Sequence, residues 1–245
     1  MAEDRSVLSR PAAPPDSVQR YGAEADHLVD LWTGDERATD RPLVVLVHGG
    51  FWRPEYDRTH LHPLAGAIAA AGWSVASIEY RRDPGRPDHT VDDVRTALAN
   101  LPALATGLNT DGTILLSGHS AGGHLALWAA SCCTGLRGTV ALAPVADLGL
   151  AERLNLDDGA VSDFLGVAAA TRPDLDPVHL QDPLAPVTIL HGTEDTLVPL
   201  DLSAAYAAAH PATRLVPVKG GAHYEVIDPE SIAWPLLLAA LTELV

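Results

Sequence analysis

Short apolar runs recur along the chain, separated by longer stretches rich in alanine and leucine. The runs have the length and the β-branched or leucine-rich character of buried strands. They lie at 43–47, 74–80, 113–117, 139–142, 187–190 and 214–218. The longer stretches have helical length and composition and lie at 61–71, 91–101, 123–133, 200–210 and 231–244. This alternation predicts an α/β fold with a mostly parallel sheet and helices on both of its faces.

Three segments depart from the alternation. Segments 17–21 and 27–32 mix polar and apolar residues as antiparallel edge strands do, so we expect a leading hairpin and eight strands in all. Segment 147–186 carries several prolines and acidic residues, with a helical candidate at 160–171. A connection of this length between two strands predicts a small cap insertion.

The chain of 245 residues is within the range of one α/β domain, which we expect over 17–245. Segment 1–16 is polar and proline-rich, so we expect it to be disordered. It shows no apolar stretch typical of a secretory signal, and the apolar runs elsewhere are too short to cross a bilayer. A cytoplasmic protein is therefore expected.

The charge balance excludes some classes of partner. Thirty-two acidic against sixteen basic side chains give a formal charge of −16, which disfavours binding to nucleic acid and to anionic membranes. Cys132 and Cys133 are adjacent in a predicted helix, so we expect two buried free thiols. The partner that remains is a small-molecule substrate, and the sequence leaves the oligomeric state open.

A nucleophile motif follows the third predicted core strand. Residues 118–122 read Gly-His-Ser-Ala-Gly, which matches the G-x-S-x-G elbow that carries a nucleophilic serine on a tight strand-to-helix turn. The apolar run 113–117 precedes the motif and a helix-forming run follows it, which is the context that the motif requires. Ser120 is the predicted nucleophile.

A serine hydroxyl needs a base, and the base needs a group that orients it. Asp195 follows the strand at 187–190, and His223 follows the strand at 214–218 within a glycine-rich loop. Both loops lie at carboxyl ends of strands, where open α/β sheets bind ligands. The chain order Ser, Asp, His is that of α/β-hydrolases.

The sequence offers competitors for two of these roles. Asp147, after the strand at 139–142, is the rival of Asp195 as the acid, although Asp195 is favoured. Among eleven histidines, we expect His119, His124 and His191 to pack or hydrogen-bond near the site rather than act as the base. Surface or capping roles suffice for five others, namely His60, His62, His89, His179 and His210.

The run His-Gly-Gly-Phe-Trp at 48–52 directly follows the first core strand. Its glycines leave backbone N–H groups accessible, so Gly50 and Phe51 are expected to form an oxyanion hole with the N–H of Ala121. Trp52 could pack in the core, but its position after this loop makes it a candidate wall of the substrate pocket.

These motifs resemble those of α/β-hydrolases of the esterase and kynurenine formamidase type over about residues 43–228. The run at 48–52 is similar to the HGGxW motif of kynurenine formamidases, where hormone-sensitive-lipase-like esterases carry HGGG. The resemblance implies the α/β-hydrolase fold, a Ser120, Asp195 and His223 triad, and oxyanion roles for Gly50, Phe51 and Ala121.

The expected function is hydrolysis of a small acyl ester or an aryl formamide through an acyl-enzyme, without a cofactor or a metal. A general short-chain carboxylesterase is the first alternative. The second, from another class, is a hydrolase-like scaffold that binds a small ligand without turnover.

Overall fold

The apolar runs of the sequence form one eight-stranded sheet. The computed structural model describes residues 3–245. The strands are β1 (Ser17–Arg20), β2 (Leu28–Trp32), β3 (Leu43–Val47), β4 (Val75–Ile78), β5 (Ile114–His119), β6 (Leu136–Leu142), β7 (Val187–Gly192) and β8 (Arg214–Val218). Their order is β1-β2-β4-β3-β5-β6-β7-β8; β2 pairs antiparallel with β1 and β4, and the other pairs are parallel. The predicted hairpin and mostly parallel sheet are confirmed.

Helices cover both faces of the sheet, as the α/β pattern predicts. They are α1 (His62–Ala70), α2 (Pro87–Leu104), α3 (Ala121–Cys132), α4 (Leu148–Arg153), α5 (Ala160–Leu165), α6 (Asp201–Ala209) and α7 (Trp234–Glu243). Alternate residues of β3 point to opposite faces: Val45 packs on the side of α2 and α3, and Val44 on the side of α1 and α7. Within residues 3–245, no helix combines the length and apolar character needed to cross a bilayer.

The segment 147–186 lies between β6 and β7 and contains α4, α5 and short 3₁₀ turns. The helix expected at 160–171 already ends at Leu165 because Gly166 adopts a left-handed conformation with φ of 70°. Phe164 of α5 is buried in the core on the side of α2 and α3. Its ring contacts Trp52, which follows β3, and His124 of α3, so α5 lies beside the segments that follow β3 and β5.

The amino-terminal segment differs from the expected disorder over 1–16, of which residues 1 and 2 lie outside the described residues. Ser6–Ser9 forms a 3₁₀ turn, and Val7 is buried in the core beside α1. The Arg10 guanidinium pairs with the Asp228 carboxylate. A buried apolar residue and an ion pair thus help to hold a segment whose sequence is polar and proline-rich.

The expectation that both cysteines are buried is wrong. The Cys132 side chain is exposed and that of Cys133 is half-buried, because α3 ends at the protein surface at Cys132. Both thiols are free, with the two Sγ atoms 3.9 Å apart.

The turn between β5 and α3 approaches the end of β3 more closely than a side chain would allow. Val47 of β3 pairs with Gly118 of β5, so both strands finish at the same level. A Cβ added to Gly122 would lie 2.1 Å from the Val47 carbonyl oxygen and 2.3 Å from that of His48. Since both contacts are to backbone, the neighbours cannot move aside cheaply.

We therefore expect Gly122→Ala to lower the free energy of unfolding by about 3 kcal/mol or more, because overpacking against backbone displaces β3 or α3. The matched control is Gly66→Ala within α1, where an added Cβ would meet no described atom within 4 Å. That control should be neutral or stabilising by about 0.5–1 kcal/mol. Urea unfolding of both variants checks this, and equal midpoints would contradict it.

Candidate active site

Ser120 lies on the sharp turn between β5 and α3 that the motif predicts. Its backbone has a positive φ of 56° with ψ of −118°, a conformation that is strained for a residue with a side chain. The Ser120 N–H donates to the Leu142 carbonyl at 2.9 Å, and its carbonyl accepts from the Val145 N–H at 3.2 Å. Bonds on both sides of the residue hold the strained turn in place.

His223 and Asp195 meet although they lie on loops after different strands. The Nδ1 of His223 is 2.7 Å from Oδ2 of Asp195, and both side chains are buried. An ionised carboxylate can only accept, so Nδ1 carries the proton and Nε2 is left as the basic nitrogen. His223 and Ser120 line the same cavity.

Four polar contacts hold the Asp195 carboxylate. Its Oδ1 accepts from the N–H groups of Leu197 and Val198 at 2.9 and 2.8 Å, while Oδ2 also lies 3.3 Å from Nε2 of His191. Burial by itself would raise the pKa of Asp195, but the hydrogen bonds from His191 and His223 outweigh it and lower that pKa below its usual range. Asp195 therefore stays ionised beside the imidazole.

The rival carboxylate has a different task. Asp147 is the N-cap of α4, and its Oδ1 accepts from the Leu150 N–H at 2.7 Å. His191 also has a supporting position, as expected, since its Nδ1 contacts the Ser203 hydroxyl at 2.7 Å and its Nε2 the Val198 carbonyl at 2.8 Å.

The loop after β3 lies beside the serine with unusual backbone geometry. Gly50, Phe51 and Trp52 all have positive φ, at 105°, 48° and 56°. A Cβ on Gly50 would lie 2.4 Å from Cβ of Tyr56, so only glycine fits there. Gly50 and Phe51 both line the cavity. Ala121 begins α3, so its N–H has no helical partner four residues earlier.

A narrow cavity of about 40 Å³ lies above Ser120. Described residues from six separate stretches of the chain line it, namely Arg5, Leu8, Gly50, Phe51, Tyr56, His60, His119, Ser120, Asp157, Leu197, His223 and Tyr224. Rings supply much of this lining, so the cavity suits a small, flat or weakly polar group. Sequence patterns identify the glycine loop, the serine and the histidine, but Tyr56 and Tyr224 carry no motif.

Trp52 lies outside this lining, which differs from its expected role as a pocket wall. Its indole is only 3% exposed and stacks on Phe164 of α5, with ring centroids 4.5 Å apart. The ring of His124 meets its edge at 5.1 Å. The contact with Phe164 of the segment 147–186, whose packing the sequence does not predict, holds Trp52 in the core.

Two further histidines lie beside the triad candidates. His60, expected to have a surface or capping role, instead lines the cavity with a buried Nδ1 that has no partner among the described residues. His119 contacts the His223 carbonyl through Nε2 at 3.1 Å, a supporting hydrogen bond of the kind expected. Burial, and then nearby His48, lowers the pKa of His60 to about 3, and burial lowers that of His119 well below its usual value. Both rings are therefore neutral near pH 7.

A buried carboxylate supports the glycine loop from behind. Glu79, directly after β4, accepts at Oε1 from His48 Nε2 at 2.8 Å and pairs with the Arg82 guanidinium. The neighbouring Tyr80 hydroxyl donates to the His48 carbonyl at 2.7 Å. The sequence signal for this support is weak: Glu79 and Tyr80 are polar residues that directly follow the buried strand β4.

Several known esterases are similar to this chain in sequence or in fold. The family model BD-FAE matches residues 29–135. The esterase LipQ of Mycobacterium tuberculosis is 29% identical over 246 residues, covering 85% of this chain and 58% of LipQ. A kynurenine formamidase of Drosophila melanogaster is 31% identical over 106 residues, covering 43% of this chain and 35% of that enzyme.

The chain spans about half the length of the mycobacterial relatives that it matches, 58% of LipQ and 48% of LipM. Among solved structures, esterase B from Lactobacillus rhamnosis superimposes with a TM-score of 0.79 at 21% identity, over 98% of this chain and 90% of that chain. At this identity the likeness shows the fold, and it confirms the expected α/β-hydrolase architecture.

The Glu79 contacts predict an acid-sensitive contribution to stability. Burial would raise the pKa of Glu79, but hydrogen bonds from His48 and the charge of Arg82 lower it from 4.5 to about 2. A lowered pKa means that the contribution, about 3 kcal/mol, is present above pH 4.5 and is lost as the pH falls towards 2. Glu79→Gln should lose that amount at pH 7 and show a flatter decline below pH 4.5.

Urea unfolding at pH 7, 4.5 and 3 measures this difference, with the exposed Glu36→Gln as the matched control. The control should follow the wild type at every pH. Parallel pH profiles for Glu79→Gln and the wild type would contradict the assignment.

Proposed function

We propose that this chain, which has the α/β-hydrolase fold, is of the esterase and kynurenine formamidase type and hydrolyses small acyl esters with Ser120 as its nucleophile. The observation that carries the proposal is the 2.7 Å bond between His223 and Asp195, beside a cavity that Ser120 and His223 share. Esterase names among its relatives support the same reaction class. Since the chain spans only part of those relatives, its activity rests on the site itself.

In the proposed mechanism, the Ser120 hydroxyl attacks the substrate carbonyl while Nε2 of His223 removes its proton. Asp195 holds Nδ1–H and stabilises the imidazolium that forms. The same proton then passes to the leaving group, which departs as an alcohol or amine and leaves an acyl-enzyme. Water attacks next, again with His223 as the base, and releases the acid. No cofactor takes part in these steps.

The charge on the carbonyl oxygen grows as the tetrahedral intermediate forms. We assign its stabilisation to the N–H groups of Gly50, Phe51 and Ala121, and fixed donors of this kind typically contribute about 3–4 kcal/mol. The positive φ values at Gly50 and Phe51 support this role, because they hold the loop in one conformation before substrate binds. The contacts of Glu79 and Tyr80 with His48 keep that loop from relaxing.

The size of the cavity favours short acyl groups. Because the cavity above Ser120 has a volume of only about 40 Å³, we expect it to take acyl chains from formyl to butyryl. Its close-packed walls should exclude longer acyl chains. The second candidate is an aryl formamide, favoured by the Gly-Gly-Phe-Trp run and by the rings of Tyr56 and Tyr224 at the cavity. A comparison of N-formylkynurenine with p-nitrophenyl acetate decides between the two.

We propose that the activity takes place in the cytoplasm and on a small-molecule substrate. The acidic charge of −16 disfavours nucleic acid as a partner. A scaffold that binds a ligand without turnover is the alternative of another class. It would not react with a fluorophosphonate, whereas the proposed enzyme is labelled at Ser120.

The proposed roles predict how strongly each of four substitutions lowers kcat. Ser120→Ala and His223→Ala should each lower kcat by about four to six orders of magnitude, with little change in stability for the serine variant. Asp195→Asn should lower kcat by about four orders, since it disturbs the imidazole tautomer. Asp147→Asn, which alters only the cap of α4, should leave kcat within about threefold.

Steady-state hydrolysis of p-nitrophenyl acetate measures these values, with circular dichroism to verify folding. An Asp147→Asn enzyme that is slower than Asp195→Asn would refute the choice of acid. Wild-type protein that neither turns over nor accepts a fluorophosphonate would refute the hydrolase itself.

The narrow cavity predicts an optimum in kcat/KM between acetyl and butyryl in a series of p-nitrophenyl esters from formyl to dodecanoyl. Tyr56→Ala, which removes a lining ring, should shift that optimum to longer chains. Trp52→Ala should keep the wild-type optimum but lose about 3–5 kcal/mol of stability, because its ring lies in the core. A wild-type optimum at octanoyl or longer would contradict the narrow pocket.

A further inference from the structure

The amino-terminal segment 3–10 runs across the mouth of the cavity. Leu8 and Arg5 belong to the cavity lining, and the Arg5 guanidinium lies 5.7 Å from the ring centroid of Tyr224. Buried Val7 and the ion pair of Arg10 with Asp228 anchor the segment. None of the motifs that identify the catalytic candidates includes this part of the chain.

Within this segment, one carboxylate contacts both loops that carry the acid and the base. The Oε1 of Glu3 accepts from the Thr196 N–H at 3.0 Å and from the Thr196 hydroxyl at 2.9 Å. Its Oε2 accepts from the His223 N–H at 2.9 Å. Thr196 directly follows Asp195 in the chain, so Glu3 bonds to the base and to the neighbour of the acid.

We infer that Glu3 is a positioning residue of the proposed active site, which holds the Asp195 loop and the His223 loop at the separation that their hydrogen bond requires. The inference rests on the proposed hydrolysis. Glu3 itself makes these contacts with the two loops.

The two loops come from different strands, β7 and β8, and are already joined nearer the sheet. Glu194 N–H donates to the Gly221 carbonyl at 2.9 Å, and Gly220 N–H to the Thr193 hydroxyl at 2.9 Å. Loss of Glu3 therefore leaves the loops folded and frees only the stretch that carries the reacting groups.

Three bonds to one ionised group are charge-assisted and stronger than neutral ones. One of the three holds the backbone N–H of His223 directly, so a small displacement there moves the imidazole relative to Ser120. Misplacement of a reacting group by about 1 Å can lower a rate about a hundredfold. Positioning therefore acts on kcat, while the cavity that sets substrate binding keeps most of its lining.

The test compares Glu3→Ala and Glu3→Gln with Asp4→Asn, whose carboxylate accepts only from Ser6 N–H within its own turn among the described contacts. Glu3→Ala should lower kcat for p-nitrophenyl acetate about ten- to hundredfold with KM within about twofold. Glu3→Gln keeps one acceptor oxygen and should fall between Glu3→Ala and the wild type. The control should match the wild type.

Amide hydrogen exchange, followed by NMR, supplies a readout independent of activity. The N–H groups of Thr196 and His223 should exchange about tenfold faster in Glu3→Ala, while those of Glu194 and Gly221 should not change. Thermal unfolding verifies that each variant is folded under the assay conditions.

Unchanged kcat in Glu3→Ala, or a rise in KM alone, would overturn the positioning role, as would unchanged exchange at Thr196 and His223. An inactive wild type would instead refute the proposed hydrolysis. Amide hydrogen exchange at Thr196 and His223 would then still show whether Glu3 holds the Asp195 and His223 loops together.

Discussion

The close approach of the β5–α3 turn to the end of β3 is the constraint on which the rest of the site depends. Gly122 lies against the carbonyls of Val47 and His48 at distances that exclude a Cβ. This contact brings the strained backbone of Ser120 next to the Gly50 loop, so the candidate nucleophile and oxyanion donors share one wall. Parallel pairing makes the approach possible, since β3 and β5 end at the same level.

The charge states of the side chains around Ser120 depend on burial and on hydrogen bonds. Neutral histidines, among them His60 and His119, crowd the cavity, because burial disfavours their charged forms. Asp195 is also buried but keeps its charge through hydrogen bonds from its own loop and from two imidazoles. The imidazole of His223, the candidate base, therefore contacts a buried, ionised carboxylate, and such an interaction is stronger there than in water.

Much of this arrangement could be predicted from the sequence. Period and composition predicted the eight strands and the five longer helices to within a few residues, because β3, β4, β5 and β7 are buried along their whole length. They did not predict α4, and they placed the end of α5 too late. The elbow around Ser120 and the chain order of Asp195 and His223 are local patterns with a mechanical cause. The turn needs glycine at 118 and 122, because a Cβ at either position would lie 2.1 Å from a backbone oxygen.

Other parts depended on contacts between residues distant in sequence. Glu3 lies 220 positions from the backbone N–H that it binds, and Trp52 turns from the pocket to Phe164 of the cap. The place of His60 in the cavity likewise follows from packing, since nothing in its local sequence distinguishes it from a surface histidine. The sequence by itself determined the elements and the candidate catalytic residues, since backbone period and turn sterics are local. Only the tertiary structure decided which carboxylate meets the histidine and which side chains enclose the cavity, since these depend on where separate loops come to lie.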